Sequence, residues 1–241
     1  MPLTLLPVIA LALPQSSTME DTLGVTTSTL IQWFAFVVAM TGLFLRCITV
    51  SFAPDGTSSR DTRGLRAPSL NNTGVYSVVR HPLYLGAGLM WIGVAMSMRV
   101  WWVVLIVGFG YWLYIERVMY AEEAFLNERF GDQFRQWAAR TPAFIPRLSQ
   151  WQPQAMPFQA KRLLSEHNGL LAVALLITGF RYLGDRFFGG QSWASWSAQH
   201  PDLIGLAIFA LAVSVICVVV RRSPWMRPAE QPASLPNTAK S

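Results

Sequence analysis

Near-continuous apolar runs at roughly 29–53, 83–98, 100–115, 168–183 and 203–220 constrain this chain more than any other feature. Each approaches the ~17–25 residues that a helix needs to cross a bilayer once flanking aromatics are counted. Only helices and closed barrels satisfy their backbone inside lipid. The expected fold class is all-α. The expected architecture is polytopic, with about five transmembrane helices. A shorter stretch, "LTLLPVIALAL" at 3–13, is expected to be a partial or interfacial first helix. Its lack of a basic leading region makes a signal peptide a poor fit.

Charge orients these spans. Placing the loops 54–82 and 116–167, together with the C-terminal tail, on one side collects sixteen of the nineteen basic residues, counting Arg46. Arg99, Arg181 and Arg186 remain for the other side. That bias is the positive-inside signature, so the loops are expected to face the cytoplasm. The net charge of +6 then reflects topology and affinity for anionic headgroups, not a nucleic-acid partner. Cys47 and Cys217 form no CxxC pair and frame no disulfide or zinc site, so a metal is not expected. "NNT" at 71–73 matches a glycosylation sequon, but the expected cytoplasmic placement makes it accidental.

The expected organisation is an N-terminal membrane region over 1–53, a catalytic core over 54–147, a linker and transmembrane hairpin over 148–227, and a disordered tail over 228–241. Within the core, "APDGTSSRDTRG" at 53–64 forms a polar loop, and "MRVWW" joins two closely spaced helices. The second helix should run past the membrane and break at Gly131. Glu116, Tyr120 and Glu123 share one of its faces. Phe125, Phe130, Phe134 and Trp137 form a stripe that would return the segment to the membrane surface.

Two constellations carry chemistry. In "SVVRHPLYLG" at 77–86, Pro82 suits a first helical position, which puts His81 at the cap of a helix entering the bilayer. The free amides of such an end suit an anion. Gly86 and Gly88 would let a ligand or a second backbone approach. The bland alternative is a snorkelling Arg80, a capping histidine and glycines for helix packing. The second constellation is Glu122-Glu123. Adjacent carboxylates beyond a membrane helix repel one another unless they serve a solvated face or meet a cation such as a sulfonium or α-ammonium.

Together, "RHPLYLGAG" and "EEAFLNERFGDQFRQWAARTPAFIP" resemble the superfamily of isoprenylcysteine carboxyl methyltransferases and phospholipid methyltransferases. The shared pattern is RHPxYxG, a Glu pair and an FGxx-aromatic-xx-aromatic segment ending in prolines. Phe134 and Trp137 stand where tyrosines are usual. The resemblance covers about 74–147. "GTSSRDT" with "LNNTGVYSVVRHPLYLG" is also similar to a bacterial branch linked to lipid A 1-phosphate methylation.

The resemblance implies a membrane-embedded methyltransferase that uses S-adenosylmethionine, in a bacterial inner membrane with its site facing the cytoplasm. His81, Tyr84, Gly86, Gly88, Glu122 and Glu123 would line the cofactor site. Charge placement adds Arg117 to that set and Arg80 and Arg140 as catalytic candidates. Arg60, Arg63 and Arg66 are substrate clamps for an anionic acceptor such as a lipid A phosphate. Such an acceptor needs no general base, because it is already ionised. A prenylcysteine carboxylate or a phospholipid amine are the alternative acceptors. Membrane reductases with an HPxYxGE-like segment share the general look, but Ala87 replaces their glutamate. A non-catalytic membrane scaffold is the remaining reading. The expected partners are the bilayer and a lipid or lipidated acceptor.

Overall fold

The computed structural model describes residues 6–52 and 69–223. Arg60, Arg63, Arg66, the start of the 3–13 stretch and the 228–241 tail lie outside the described residues. The helices in chain order are α1 (Leu6–Leu23), α2 (Val25–Ser51), α3 (Val75–Val78), α4 (Pro82–Ser97), α5 (Trp101–Phe130), α6 (Asp132–Arg140), α7 (Ala160–Leu163), α8 (His167–Phe187), α9 (Trp193–Gln199) and α10 (Pro201–Arg222). Among the described residues there is no strand, only an isolated bridge between Gly74 and Gln152.

Helices α2, α5 and α10, and the stretch Ala160–Phe187 ending in α8, are long and apolar enough to cross a membrane. Their outward faces show why water is the wrong solvent. Phe44, Phe109, Ile208 and Phe209 are all exposed, and on α2 the exposed Leu30, Trp33, Phe34, Val37 and Phe44 follow helical spacing. A soluble monomer rarely presents such continuous apolar faces. The chain is an integral membrane protein. The remaining apolar helices are shorter: Pro82–Ser97, and the stretch Pro7–Ser16 within α1. Helix α1 continues to Leu23 rather than stopping near residue 13. It packs through Ala12 against Met98, Val100 and Val103 at one end of the bundle.

Helices α2 and α4 form the tightest antiparallel pair. A Cβ on Gly86 would sit 2.7 Å from the Gly42 carbonyl oxygen and from Arg46 Cγ. A Cβ on Gly93 would meet the Ala35 oxygen and the Ala39 nitrogen at 2.6 Å. Small residues on both helices therefore let the backbones touch, the usual solution where lipid supplies no hydrophobic drive between helices. Arg46 and Arg99 mark the two ends of this pair. Arg46 donates to the Leu83 carbonyl at 3.3 Å, and Arg99 Nη1 donates to the Ser28 hydroxyl at 2.7 Å. Residues 28 and 46 are separated by roughly 27 Å at 1.5 Å per residue, close to the ~30 Å hydrocarbon thickness. Arg99 takes a left-handed backbone, φ 59°, in the short turn that reverses α4 into α5.

Helix α5 has 30 residues, about 45 Å of helix, so its last turns project beyond the bilayer as the sequence predicts. Gly131, at φ 52°, ends it and starts α6. Phe134 and Trp137 do not return α6 to the membrane surface. Both are buried, ring edge to ring face, and Trp137 Nε1 donates to the Tyr76 carbonyl at 3.0 Å. The stripe thus clamps α6 onto the segment that leads into α4.

Residues 148–167, expected as a linker, fold back onto that same segment. The Gly74 amide bonds the Gln152 carbonyl, the Gln152 amide bonds the Ser77 hydroxyl, and the Arg147 amide bonds the Val78 carbonyl. Glu166 then pairs with Arg46 before α8 enters the membrane. Helices α8 and α10 pack as an antiparallel hairpin over a core of Ala39, Val94, Val173, Ile177, Trp196 and Leu203.

Candidate functional site

The residues on either side of Pro82 are placed by two neighbours in space. The Arg80 and His81 amides bond the carbonyls of Pro142 and Ala143, which zips the approach to α4 against the proline-bearing end of α6. Pro82 then starts the helix, so the His81 side chain is thrown towards the projecting end of α5. There it meets the Glu pair. His81 Nε2 lies 2.8 Å from Glu123 Oε1, and Nδ1 lies 3.7 Å from Glu122 Oε2. Arg80 donates to both Glu123 oxygens, at 2.9 and 3.3 Å. A carboxylate held by a guanidinium accepts only, so Nε2 of His81 carries the proton in this contact.

The two carboxylates have unequal surroundings. Glu123 is saturated by Arg80 and His81. Glu122 is different: its Oε2 is buried and accepts no hydrogen bond. It lies beside the phenols of Tyr84 and Tyr76. Burial, then the Glu122 charge, push the Tyr76 phenol above its ordinary range, so it remains a neutral hydroxyl. The His81 ring is buried and stacks on Tyr84 with centroids 5.7 Å apart. Tyr111 fixes the same turn by donating its hydroxyl to the Tyr84 carbonyl.

Glu122 also belongs to a groove of about 670 Å³ along one face of α5, lined by Gly110, Leu113, Tyr114, Arg117, Val118 and Ala121. These positions recur every three or four residues, so they form one stripe. It is apolar along its membrane length and ends in Arg117 and Glu122. A cation beside Glu122, an anion beside Arg117 and an apolar chain along the stripe are the chemistry this surface accommodates.

The structure brings His81, Tyr84, Glu122 and Glu123 together, with Arg117 on the adjoining groove. Other expected site residues fall elsewhere. Gly86 and Gly88 serve helix packing: the first faces Gly42 and Arg46, and a Cβ on the second would lie 2.9 Å from the Tyr111 ring. Their missing side chains make room for protein, which corrects the expectation that they line a ligand site. Arg80, expected to be catalytic, has its guanidinium turned inward. Besides Glu123 it donates to the Ala138 and Thr141 carbonyls at 2.7 and 2.9 Å, capping the end of α6. Arg140 is exposed and lines a separate cavity of about 180 Å³ with Asn72, Ser77, Trp137, Thr141, Gln150 and Gln152.

The sequence reading missed Tyr76, Tyr111, Arg46 and Glu166. The signal for the last two was present: an arginine inside the apolar run of α2 and a glutamate at the start of another. Isolated charges at such positions usually pair.

The S-adenosylmethionine that the resemblance implies can be tested against these residues. An orphaned, buried carboxylate oxygen needs a cationic or N–H-bearing partner. An α-ammonium group meets that need at Glu122, so the residues fit. Among the described residues, no three His, Cys, Asp or Glu side chains gather as metal ligands.

Residues 30–133 match the phospholipid methyltransferase family model. The cobalt-zinc-cadmium resistance protein CzcN of Cupriavidus metallidurans is 29% identical over 128 residues, covering 51% of this chain and 58% of that protein. The protein-S-isoprenylcysteine O-methyltransferase of Schizosaccharomyces pombe is 32% identical over 73 residues, 30% of this chain and 31% of that protein. The nickel-cobalt-cadmium resistance protein NccN of Alcaligenes xylosoxydans xylosoxydans is 34% identical over 86 residues, 36% and 40% respectively. The chain therefore spans 31% to 58% of the length of these curated relatives. No solved structure matches it.

Proposed function

We propose that this chain, which belongs through residues 30–133 to the superfamily of phospholipid and isoprenylcysteine methyltransferases, transfers a methyl group from S-adenosylmethionine to a membrane-embedded acceptor. The observation that carries the reading is Glu122. Its Oε2 is buried without a hydrogen-bond partner and the residue lines a groove shared with Arg117, while its neighbour Glu123 is engaged by Arg80 and His81.

When bound, the cofactor supplies an electrophilic methyl group on a sulfonium. Glu122 holds the cationic amino-acid portion. The His81 ring lies beside that carboxylate, its Nδ1 3.7 Å from Glu122 Oε2, and Tyr84 stacks on the ring. Glu123 keeps His81 in its tautomer, and Arg80 holds Glu123. Arg80 is thus a positioning residue here rather than one that touches the acceptor. Methyl transfer is an in-line displacement, so alignment and exclusion of water supply most of the acceleration.

The acceptor we favour is an anionic oxygen on a lipid, a phosphate such as that of lipid A. Its apolar chain would lie along Gly110–Ala121 and its charge beside Arg117. An oxygen already ionised at neutral pH suits a site whose titratable groups are all committed to one another or to the cofactor. Arg60, Arg63 and Arg66 remain proposed clamps for the same anion. A prenylcysteine carboxylate is the second reading, favoured by the yeast relative. In this reading the site faces the cytoplasm, supported by the arginine bias, and the membrane is a bacterial inner membrane, supported by the lipid-A-like resemblance of the sequence.

The test is incubation of purified protein with methyl-labelled S-adenosylmethionine and a bacterial lipid extract. A labelled lipid resistant to mild alkali and carrying a methyl phosphate supports the favoured acceptor. Alkali-labile label released as methanol indicates a carboxylate. No labelled product, with tight binding of a nicotinamide nucleotide, overturns the methyltransferase reading.

A further inference from the structure

The segment between α6 and α7 carries apolar side chains that the fold leaves uncovered. Ile145, Leu148 and Trp151 are 79%, 75% and 55% exposed, and Phe158 is 56% exposed. Leu148 and Trp151 stand three residues apart across a single 3-10 turn, so they share one side of it. One exposed apolar residue is ordinary, but four within 145–158 form a patch that calls for a partner.

Both ends of this segment are tied to apolar helices. At one end, the Phe144 ring packs edge to face with Trp112 of α5, centroids 5.4 Å apart. Beside it, the Ala143 carbonyl accepts from the His81 amide, just before α4 begins. At the other end, Phe158 meets Phe52 at 5.6 Å, and the Gln159 amide donates to the Ser51 carbonyl at 2.7 Å, where α2 ends. The segment therefore crosses the end of the bundle at the depth where α2 and α4 leave the apolar layer. Its charge is one-sided: residues 133–165 hold five basic residues and no acidic one. Of the five, Arg147 and Lys161 flank the patch and are exposed.

We propose that residues 144–162 form a docking surface for anionic phospholipid, in the leaflet on the side of His81 and Glu122. Ile145, Leu148, Trp151 and Phe158 enter the boundary between headgroups and acyl chains, the usual seat of interfacial apolar side chains. Arg147 and Lys161 meet the headgroups, and net negative lipid is preferred because the segment has no carboxylate of its own to neutralise them. A soluble protein partner fits less well, since the ties to Ser51, Phe52 and Trp112 hold the patch against the headgroup layer. The contact braces the approach to α4, because the Arg80 and His81 amides bond the Pro142 and Ala143 carbonyls beside it. It is independent of methyl transfer.

The experiment places a fluorophore at Leu148→Cys, and separately at Trp151→Cys, in the full chain with Cys47→Ala and Cys217→Ala. The protein is reconstituted in vesicles of phosphatidylcholine and phosphatidylglycerol in equal parts, with a quenching nitroxide on the acyl chain of one lipid or the other. Both positions should be quenched, about twofold more steeply when phosphatidylglycerol carries the nitroxide. Arg147→Gln combined with Lys161→Gln, both at exposed positions, should erase that preference and leave the melting temperature unchanged. Either substitution alone should reduce it, which keeps the test open if the double variant fails to fold. Absence of quenching by both lipids, as water, a protein partner or a second copy over the patch would give, overturns the proposal. So does an equal response to the two lipids before the charges are removed, or a preference that survives the double substitution.

Discussion

Arg80 grips Glu123 through both carboxylate oxygens, at 2.9 and 3.3 Å, across 43 residues of sequence. The same guanidinium holds two carbonyls at the end of α6. One side chain therefore ties together the approach to α4, the projecting end of α5 and α6. The charged half of the candidate site is built by mutual saturation around Glu123, and the adjacent Glu122 keeps a buried Oε2 without a hydrogen-bond partner.

Glu123→Gln should destabilise the protein by about 2–3 kcal/mol, because Arg80 and His81 lose charge-assisted bonds in a half-buried setting. Thermal melting in detergent measures it. A melting temperature equal to wild type would show that the Arg80–Glu123 pair is not formed.

Glu122→Gln separates binding from folding. With no hydrogen bond at Oε2 to lose, stability should change by less than about 0.5 kcal/mol. Affinity for S-adenosylhomocysteine, read by calorimetry, should fall at least tenfold. Wild-type affinity would remove Glu122 from the cofactor site.

Gly86→Ala should cost about 1–3 kcal/mol by forcing α2 and α4 apart, since the new Cβ meets the Gly42 backbone and Arg46 at 2.7 Å. Gly88→Ala should cost less, its contact being the edge of the Tyr111 ring. Comparing the two melting temperatures checks the order.

Glu166→Gln leaves the Arg46 guanidinium short of its bidentate partner, which sits at 2.9 and 3.2 Å and is 3% exposed. Breaking a buried pair from one side costs about 3–5 kcal/mol. The loss should also loosen residues 148–167, read as faster proteolysis there. Unchanged cleavage would show that the linker is held by its backbone bonds alone.

Much was legible in the sequence because it depends on local period. Apolar runs long enough for a bilayer announced α2, α5, α8 and α10. Pro82 and Gly131 marked a helix start and a helix break through their own backbone preferences. The spacing of RHPLYLG and the Glu pair placed both at one membrane level, joined by the α4–α5 hairpin. These features follow from a few neighbouring residues, so no tertiary knowledge is needed.

What only the tertiary structure decided is which group each side chain faces. Gly86 reads equally as a ligand cradle or a packing surface, and the depth at which α2 meets α4 makes it the latter. Arg80 reads as a catalytic candidate, but the return of α6 through Phe134 and Trp137 supplies carbonyls that absorb it. Glu122 and Glu123 are indistinguishable as neighbours in sequence, yet a helix turns them about 100° apart. That rotation gives one to Arg80 and His81 and leaves the other facing a groove. The periodicity of a helix is set by its own backbone. The partner of each face is set by helices distant in sequence, through the crossing depth that small residues allow.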